Sequence, residues 1–437
     1  MPEQYQTDGP SSTERDAAAI RGSSTGEIVA SVEALVAAGT LAAGAPLPSV
    51  RRLASDLAVS PTTVAAALAE LRRRGVVISR PRSGTRVAER PPLARPVASV
   101  PPGTMDLASG SPDLSLLPAL PVIRAAQRGY TEEPVLPGLA SLAVASFQAD
   151  GVAATRAGAV NGALDGIERA LAAWLAPGDL VAVEDPGWPG VLDLARALGL
   201  RLAPVAVDAR GMTPAALSAA VRSGARAVVH TPRGHNPCGS ALDGARAAEL
   251  SAVVPDDVLV VEDDHLGPVA GTPWHTLSGG RSRWAVVRSV SKWLGPDLRL
   301  ALLAGDETTL ARVEGRQALG PGWVSGIVQR LASELWNDPS IERAAAIYRE
   351  RREALAALVD AAPAPSGINL WVPVPDEYAA VSALRAEGYA VAAGAAYRLS
   401  PGSAIRITTA ALEPEEAPRL AEAIERAVSP PRRTRTA

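Results

Sequence analysis

Lys292 is the only lysine in the 437 residues; the other 42 of the 43 Lys+Arg residues are arginine. A chain that has given up nearly every lysine keeps one where a guanidinium cannot serve. Arginine stays protonated in proteins, whereas a lysine can be made neutral by its surroundings and can form a Schiff base with a carbonyl. The segment around it reads Ser289-Val290-Ser291-Lys292-Trp293-Leu294-Gly295-Pro296-Asp297-Leu298-Arg299. The Ser289 and Ser291 hydroxyls donate singly and the Arg299 guanidinium can donate two bonds, which together suit a phosphate. The chemistry indicated is capture of an aldehyde that also carries a phosphate.

Such a compound is pyridoxal 5'-phosphate, and other stretches supply what it needs. Val160-Asn161-Gly162-Ala163-Leu164-Asp165 ends a strand and opens a helix. Backbone N–H groups at a helix start bind anions, so Gly162, Ala163 and Leu164 are expected to share the phosphate with Ser289, Ser291 and Arg299. In Glu262-Asp263-Asp264-His265 a carboxylate can face the ring nitrogen and keep it protonated, so that the ring accepts electrons. By position this is Asp263, with Asp264 as the alternative. Trp188, on the turn Asp185-Pro186-Gly187-Trp188-Pro189, can lie flat on a planar ring. Arg406, inside the short strand pattern Ser403-Ala404-Ile405-Arg406-Ile407-Thr408, would seek a carboxylate if buried.

The pattern Ser-x-Ser-Lys-x-x-x-Pro-x-x-Arg resembles the cofactor-lysine segment of fold-type I, class I/II aminotransferases. The resemblance implies that Trp188 stacks on the pyridine ring and that Asn236, in Asn236-Pro237-Cys238-Gly239, hydrogen-bonds the cofactor's phenolic oxygen. It also implies that Arg406 grips the α-carboxylate of an amino acid. His265 stands where relatives usually place a tyrosine to bind the phenolic oxygen. An imidazole donates the same bond, with a charge expected to vary near pH 7. His235 and Cys238 read as loop residues, and no set of side chains suggests a metal.

These residues need a sheet to hold them. Val/Leu-rich runs at 180–184, 227–230, 258–262 and 284–288 alternate with helical patterns near 163–175, 189–198, 213–223 and 244–253. That alternation predicts a mostly parallel sheet covered on both faces, with ligands beyond the strands' carboxyl ends. Residues 307–362 read as largely helical and 367–428 as a small α+β subdomain. The lone cysteine argues against a disulfide framework, and no apolar run reaches about 18 residues. No charged-then-apolar leader opens the chain, so a cytoplasmic location without membrane contact is expected.

The first ninety residues are of another kind. Between residues 26 and 90 nine arginines stand against five acids inside a chain of net charge −3, which points to phosphate-backbone contacts. Apolar residues at 28, 29, 32, 35 and 36 mark one helix. Ser49 caps a second with Val50, Leu53, Ala54 and Leu57 buried, and Ser60-Pro61 opens a third through about Arg73. Two β-rich runs around the basic turn Arg80-Pro81-Arg82-Ser83-Gly84 form a hairpin. Leu-Pro-Ser-x-Arg-x-Leu-Ala, Val-Ser-x-x-Thr-Val and Gly-Thr-x-Val resemble the winged helix-turn-helix of GntR-type regulators. Carried over, Ser49, Arg51 and Arg52 approach the DNA backbone, and Ser60, Thr62 and Thr63 begin the recognition helix. Arg82 and Gly84 form the wing tip. Pro61 stands where the family commonly has arginine, so one usual contact is missing.

The expected organisation is a disordered leader over 1–24, the winged helix-turn-helix over 25–88 and a Pro-rich linker over 89–103. The aminotransferase-like α/β domain follows over 104–428, then a basic tail over 429–437. This order resembles the MocR subfamily of GntR regulators. It implies a DNA-binding regulator in which pyridoxal phosphate, bound as a Schiff base to Lys292, senses an amino acid or amine effector. It also implies a head-to-tail homodimer on a double-stranded operator. The alternative is a working aminotransferase with a vestigial DNA-binding head.

Overall fold

The computed structural model describes residues 20–37, 40–41, 44–73, 76–80, 84–87, 100, 103–124 and 127–428. The chain divides into two compact units between Val97 and Ala98, inside the stretch expected as linker. Most of that stretch lies outside the described residues, as do 1–19, Arg82 and the basic tail.

The first unit contains helices Thr25–Ala37, Val50–Asp56 and Pro61–Arg73, then strands β1 (Val77–Arg80) and β2 (Gly84–Val87). The Ser49 side chain accepts from Arg52 N, and the Ser60 hydroxyl accepts from Thr63 N at 3.1 Å, so both expected caps are formed. β1 and β2 pair antiparallel from Val77↔Val87 to Arg80↔Gly84. Ile28, Val32, Leu53, Val64, Leu68, Leu71, Val77 and Val87 close one apolar core. Residues 20–24 belong to the stretch expected as leader. Ile20 is buried in that core, Arg21 N donates to Ser31 Oγ at 2.9 Å, and Ser23 Oγ donates to Glu27 at 2.8 Å.

The second unit is built on an eight-stranded sheet of order β4-β11-β10-β9-β8-β5-β6-β7. Its strands are β4 (Gly158–Val160), β5 (Leu180–Asp185), β6 (Arg201–Asp208), β7 (Gly211–Met212), β8 (Ala225–His230), β9 (Leu259–Asp264), β10 (Trp284–Ser289) and β11 (Ala301–Gly305). The inner run β6-β5-β8-β9-β10 is parallel, while β11 and β7 pair antiparallel. Alternate residues face opposite ways along a strand. Accordingly Ala182, Val228, Val260 and Val286 join one core, and Val181, Val183, Val229, Val261 and Val287 join another on the other face. β9 runs three residues further than its apolar stretch, because Glu262, Asp263 and Asp264 stay in register with Val286, Val287 and Arg288.

Beyond the helices Glu307–Ala318, Gly326–Leu335 and Ser340–Ala356, a three-stranded sheet is formed by β12 (Asn369–Pro373), β14 (Ala392–Ala393) and β15 (Ala404–Thr408). The small subdomain is not only C-terminal, as the sequence suggests. β3 (Met105–Asp106) pairs with β13 (Tyr389–Ala390), and Leu107 and Leu355 enter the subdomain's core.

Candidate functional site

Asp263, His265, Asn236, Trp188, Gly162, Ser289 and Ser291 lie at a strand's carboxyl end or on the loop that follows, while Arg406 lies within β15. Gly162 has φ +92° and caps helix Ala163–Trp174 with no side chain in the cap. A Cβ on Gly162 would stand 2.7 Å from a terminal nitrogen of Arg299, so the glycine leaves room for the guanidinium over the helix start. That cradle, with half-open Ser291 and with Ser289 Oγ accepting from Ser291 N at 3.2 Å, suits a phosphate.

Lys292 Nζ donates to the Gly110 carbonyl at 2.6 Å. Burial, with Arg406 adding positive charge, lowers the amine to about 8, so a neutral nucleophile is within reach near physiological pH. Arg406 is buried in β15. It donates to Asn369 Oδ1 at 3.1 Å, to Thr408 Oγ1 and to the Ala108 carbonyl, and the face of Tyr397 lies 5.3 Å from it. Among the described residues no carboxylate pairs with it, and its Nε is buried without a partner. Ala108 and Gly110 thus hold both groups with main-chain oxygens, a contact without a local signal in the sequence.

The four buried carboxylates behind the site are treated differently. Glu262 accepts from Thr276 Oγ1 at 2.7 Å and Leu277 N at 2.6 Å, with His230 Nε2 at 3.3 Å. Glu184 accepts from Thr231 N at 3.2 Å and faces His235 Nε2 at 3.2 Å. Asp264 is held by Arg233 at 2.9 Å and Arg288 at 2.6 Å. Burial alone would raise Asp264, but the two guanidinium groups hold it well below the usual carboxylate range. Asp263 is 1% exposed, and its Oδ1 has no hydrogen-bond partner among the described residues. Burial first, then Asp264 and Glu184, push it up to about 8. Asp264, the alternative for the ring nitrogen, is already satisfied, so Asp263 is the carboxylate ready for an N–H cation.

His265 Nδ1 lies 3.8 Å from Asp263. Burial, with the Lys292 charge, lowers it to about 4. The expectation of a charge varying near pH 7 is therefore corrected: the imidazole is neutral there, a fixed donor or acceptor. Asn236 Oδ1, on the neighbouring loop, is buried and has no hydrogen-bond partner among the described residues. Trp188 is half-buried, and its ring packs over Gly190, where a Cβ would come within 2.7 Å. His235 and Cys238 lie on the Asn236 loop, as expected, and both are buried. Sequence reasoning passed over the Arg233–Arg288–Asp264–Asp150 network because its members come from four separated segments. A cavity of about 470 Å³, lined in part by Asp150, Arg233, Arg288, Trp293 and Trp336, lies beside that network. Among the described residues no His, Cys, Asp and Glu group could hold a metal.

In the first unit Arg51, Arg52, Ser60 and Thr62 are exposed and Thr63 is half-buried. Thr63 Oγ1 and Ser60 Oγ are 2.8 Å apart. Gly84, φ +71°, opens β2, and Ser79 and Thr85 hydroxyls bond across the hairpin at 2.8 Å.

Residues 104–424 match the family Aminotransferase class I and II, and residues 24–87 match Bacterial regulatory proteins, gntR family. The vitamin B6 salvage pathway transcriptional repressor PtsJ of Salmonella typhimurium is 37% identical over 94% of this chain and 100% of its own. The pyridoxine biosynthesis transcriptional regulator PdxR of Corynebacterium glutamicum is 31% identical over 54% of this chain and 55% of its own. Among solved structures, an archaeal alanine:glyoxylate aminotransferase superposes with TM-score 0.65 at 21% identity, covering 74% of this chain and 90% of its own. A multiple substrate aminotransferase from Thermococcus profundus gives 0.67 at 17%, covering 75% and 92%. At such identities the structures speak for the fold. The cofactor of this fold is pyridoxal 5'-phosphate, and the unpartnered Asp263 and Asn236 oxygens and the Gly162–Arg299 cradle fit it. A gntR-family head joined to a class I and II aminotransferase domain makes the chain a member of the MocR-type transcription regulators.

Proposed function

We propose that this chain is a DNA-binding regulator whose large unit senses an amino acid or amine through pyridoxal phosphate on Lys292. The observation that carries this reading is Asp263, a buried carboxylate whose Oδ1 has no hydrogen-bond partner among the described residues, beside a sheet that also carries a part-buried lysine of lowered proton affinity. When bound, the cofactor supplies an aldehyde that exchanges between amines and a ring that draws electrons. The main-chain N–H groups of Gly162, Ala163 and Leu164, with Ser289, Ser291 and Arg299, hold the phosphate. Asn236 and neutral His265 face the phenolic oxygen, and Trp188 covers the ring. Asp263 holds the proton on the ring nitrogen. Arg406 exchanges the Ala108 carbonyl for the effector's carboxylate, and an amine lacking one would miss that contact.

In the head, Ser49, Arg51, Arg52, Ser60, Thr62 and Thr63 present donors to DNA phosphates and base edges, with Arg82 and Gly84 at the wing. Exposed Val122, Tyr130, Leu319 and Ile327 give apolar surface that a second copy would cover in a head-to-tail dimer acting in the cytoplasm. No helix among the described residues is long and apolar enough to cross a membrane.

A second reading rests on the full-length relative, named for repression of vitamin B6 salvage. In it the signal is pyridoxal phosphate itself. The test is DNA retardation by apo-protein, by protein loaded with pyridoxal phosphate, and by loaded protein with added amino acids. A change on loading alone supports the second reading, and a further change with amino acid supports the first. Multiple turnover to a keto acid with no effect on DNA binding would overturn both in favour of an aminotransferase.

A further inference from the structure

We propose that Asp185, the last residue of β5, is a positioning residue that ties the turn carrying Trp188 to the segment packed under Arg406, and so sets the spacing an α-amino acid must span. The inference rests on the reading of Arg406 and Trp188 given above. Asp185 is buried, and neither the phosphate cradle nor the ring-nitrogen site uses its carboxylate.

Each carboxylate oxygen of Asp185 has a main-chain donor from the small subdomain. Leu399 N donates to Oδ1 at 2.8 Å and Ser400 N donates to Oδ2 at 2.9 Å, across 214 and 215 positions. Two residues further on, Gly187 N donates to the Tyr397 carbonyl at 2.8 Å. Three bonds running in both directions therefore join Asp185-Pro186-Gly187 to Tyr397-Arg398-Leu399-Ser400. Two N–H groups on one carboxylate fix orientation as well as distance, and both bonds are charge-assisted. The side chains between them are held too. Arg398 pairs with Glu377 at 2.6 Å, and Leu399 and Trp188 pack against the same core.

Tyr397 is where the two halves of the site meet. It closes the short helical turn Gly394–Tyr397 and is buried with Trp371, whose ring meets it edge-on at 6.0 Å. The Arg406 guanidinium lies 5.3 Å from the centre of the Tyr397 ring, close enough for the ring face to attract it. Asn369 and Thr408 hold the same guanidinium from β12 and β15. Tyr397 cannot shift without drawing on the Gly187 and Asp185 bonds. The place of the guanidinium and that of the Trp188 turn are thus set together.

An α-amino acid presents its amine and its carboxylate a fixed distance apart. With the amine at Lys292 and the carboxylate at Arg406, it spans the gap that Asp185 holds constant, and a gap fixed in advance lowers the ordering cost of binding. An amine without a carboxylate touches one side only and gains nothing from the tie.

The test uses the full chain loaded with pyridoxal phosphate, as wild type, Asp185→Ala and Asp185→Asn. The probes are L-alanine and ethylamine, which differ by the carboxylate alone, each titrated against the visible band. Cofactor affinity without amine and hydrogen exchange of segments 183–190 and 395–402 are measured beside it. Asp185→Ala is expected to weaken L-alanine about tenfold, the lower end of losing a hydrogen bond to a charged group, and to change ethylamine and cofactor affinity by no more than about twofold. Exchange should quicken in both segments. Asp185→Asn keeps one acceptor oxygen and should fall between wild type and Asp185→Ala. Equal weakening of both probes, or of neither, overturns the proposal and leaves Asp185 a cap on a loop; so does exchange that quickens in 395–402 alone. If Asp185→Ala does not fold, the same ratio of probes in Asp185→Asn decides. A wild type without a visible band, or one whose preference for L-alanine survives Arg406→Ala, fails the underlying reading and takes this inference with it. If Arg406→Ala loses that preference and both Asp185 variants keep it, only this inference fails.

Discussion

At the residue scale, burial sets the proton affinity of the groups that matter. Lys292 falls to about 8 from 10.5 in the unbound site. The rate at which the apo-protein captures pyridoxal phosphate should therefore rise about tenfold per pH unit up to about 8 and then level. A rate still climbing past pH 9 in stopped-flow absorbance would contradict the lowered amine. Asp263 works in the opposite sense. Its folded proton affinity is raised from 3.8 to about 8, so the folded apo-protein binds more protons than the unfolded chain between those values. The stability it contributes is full below about pH 4 and is lost as pH rises through 8. Asp263→Asn should thus raise the apo-protein's thermal midpoint at pH 8 relative to wild type, with little difference at pH 4. The same variant should weaken cofactor binding about tenfold or more, since a charged hydrogen bond contributes about 1.5–3 kcal/mol. A midpoint that falls at pH 8 would count against the unpaired carboxylate.

At the scale of elements, much was legible because the pattern is local. The four buried strands appear as Val/Leu runs bounded by turns, and they stand within a few residues of where the sequence puts them. The lone Lys292 and its flanking serines are likewise a local pattern. What could not be read arises from long-range pairing. Arg233, Arg288 and Asp150 meet only because three elements converge on Asp264, and the Gly110 carbonyl reaches Lys292 across 182 positions. The lowered proton affinity of His265 is hidden for a related reason: its type is visible in the sequence but its surroundings are not. The head's elements also make a prediction. Arg51→Ala and Arg52→Ala, at the exposed start of helix Val50–Asp56, should weaken binding to all DNA sequences alike and reduce the salt slope by about 1 each. Unchanged slopes in fluorescence anisotropy would remove these arginines from the interface. Leu53→Ala, at the centre of the head's own core, should cost about 2–5 kcal/mol. It should abolish DNA binding while leaving the visible band of the large unit intact.

At the scale of the whole molecule, a regulator of this design is a thermodynamic coupling between two ligands. If an effector changes DNA affinity by some factor, DNA must change effector affinity by the same factor. Nothing in that relation needs turnover, although Lys292, Asp263, Asn236 and Arg406 are groups that transamination would also use. The most direct measurement follows both ends in one preparation. Effector is titrated into the loaded protein with a labelled fragment of its own upstream DNA, while visible absorbance and DNA anisotropy are recorded together. The account predicts that both signals move with one midpoint in wild type and that neither moves in Lys292→Ala. A visible band that responds to effector while DNA affinity stays constant, or a Lys292→Ala protein that keeps the wild-type band, would contradict it.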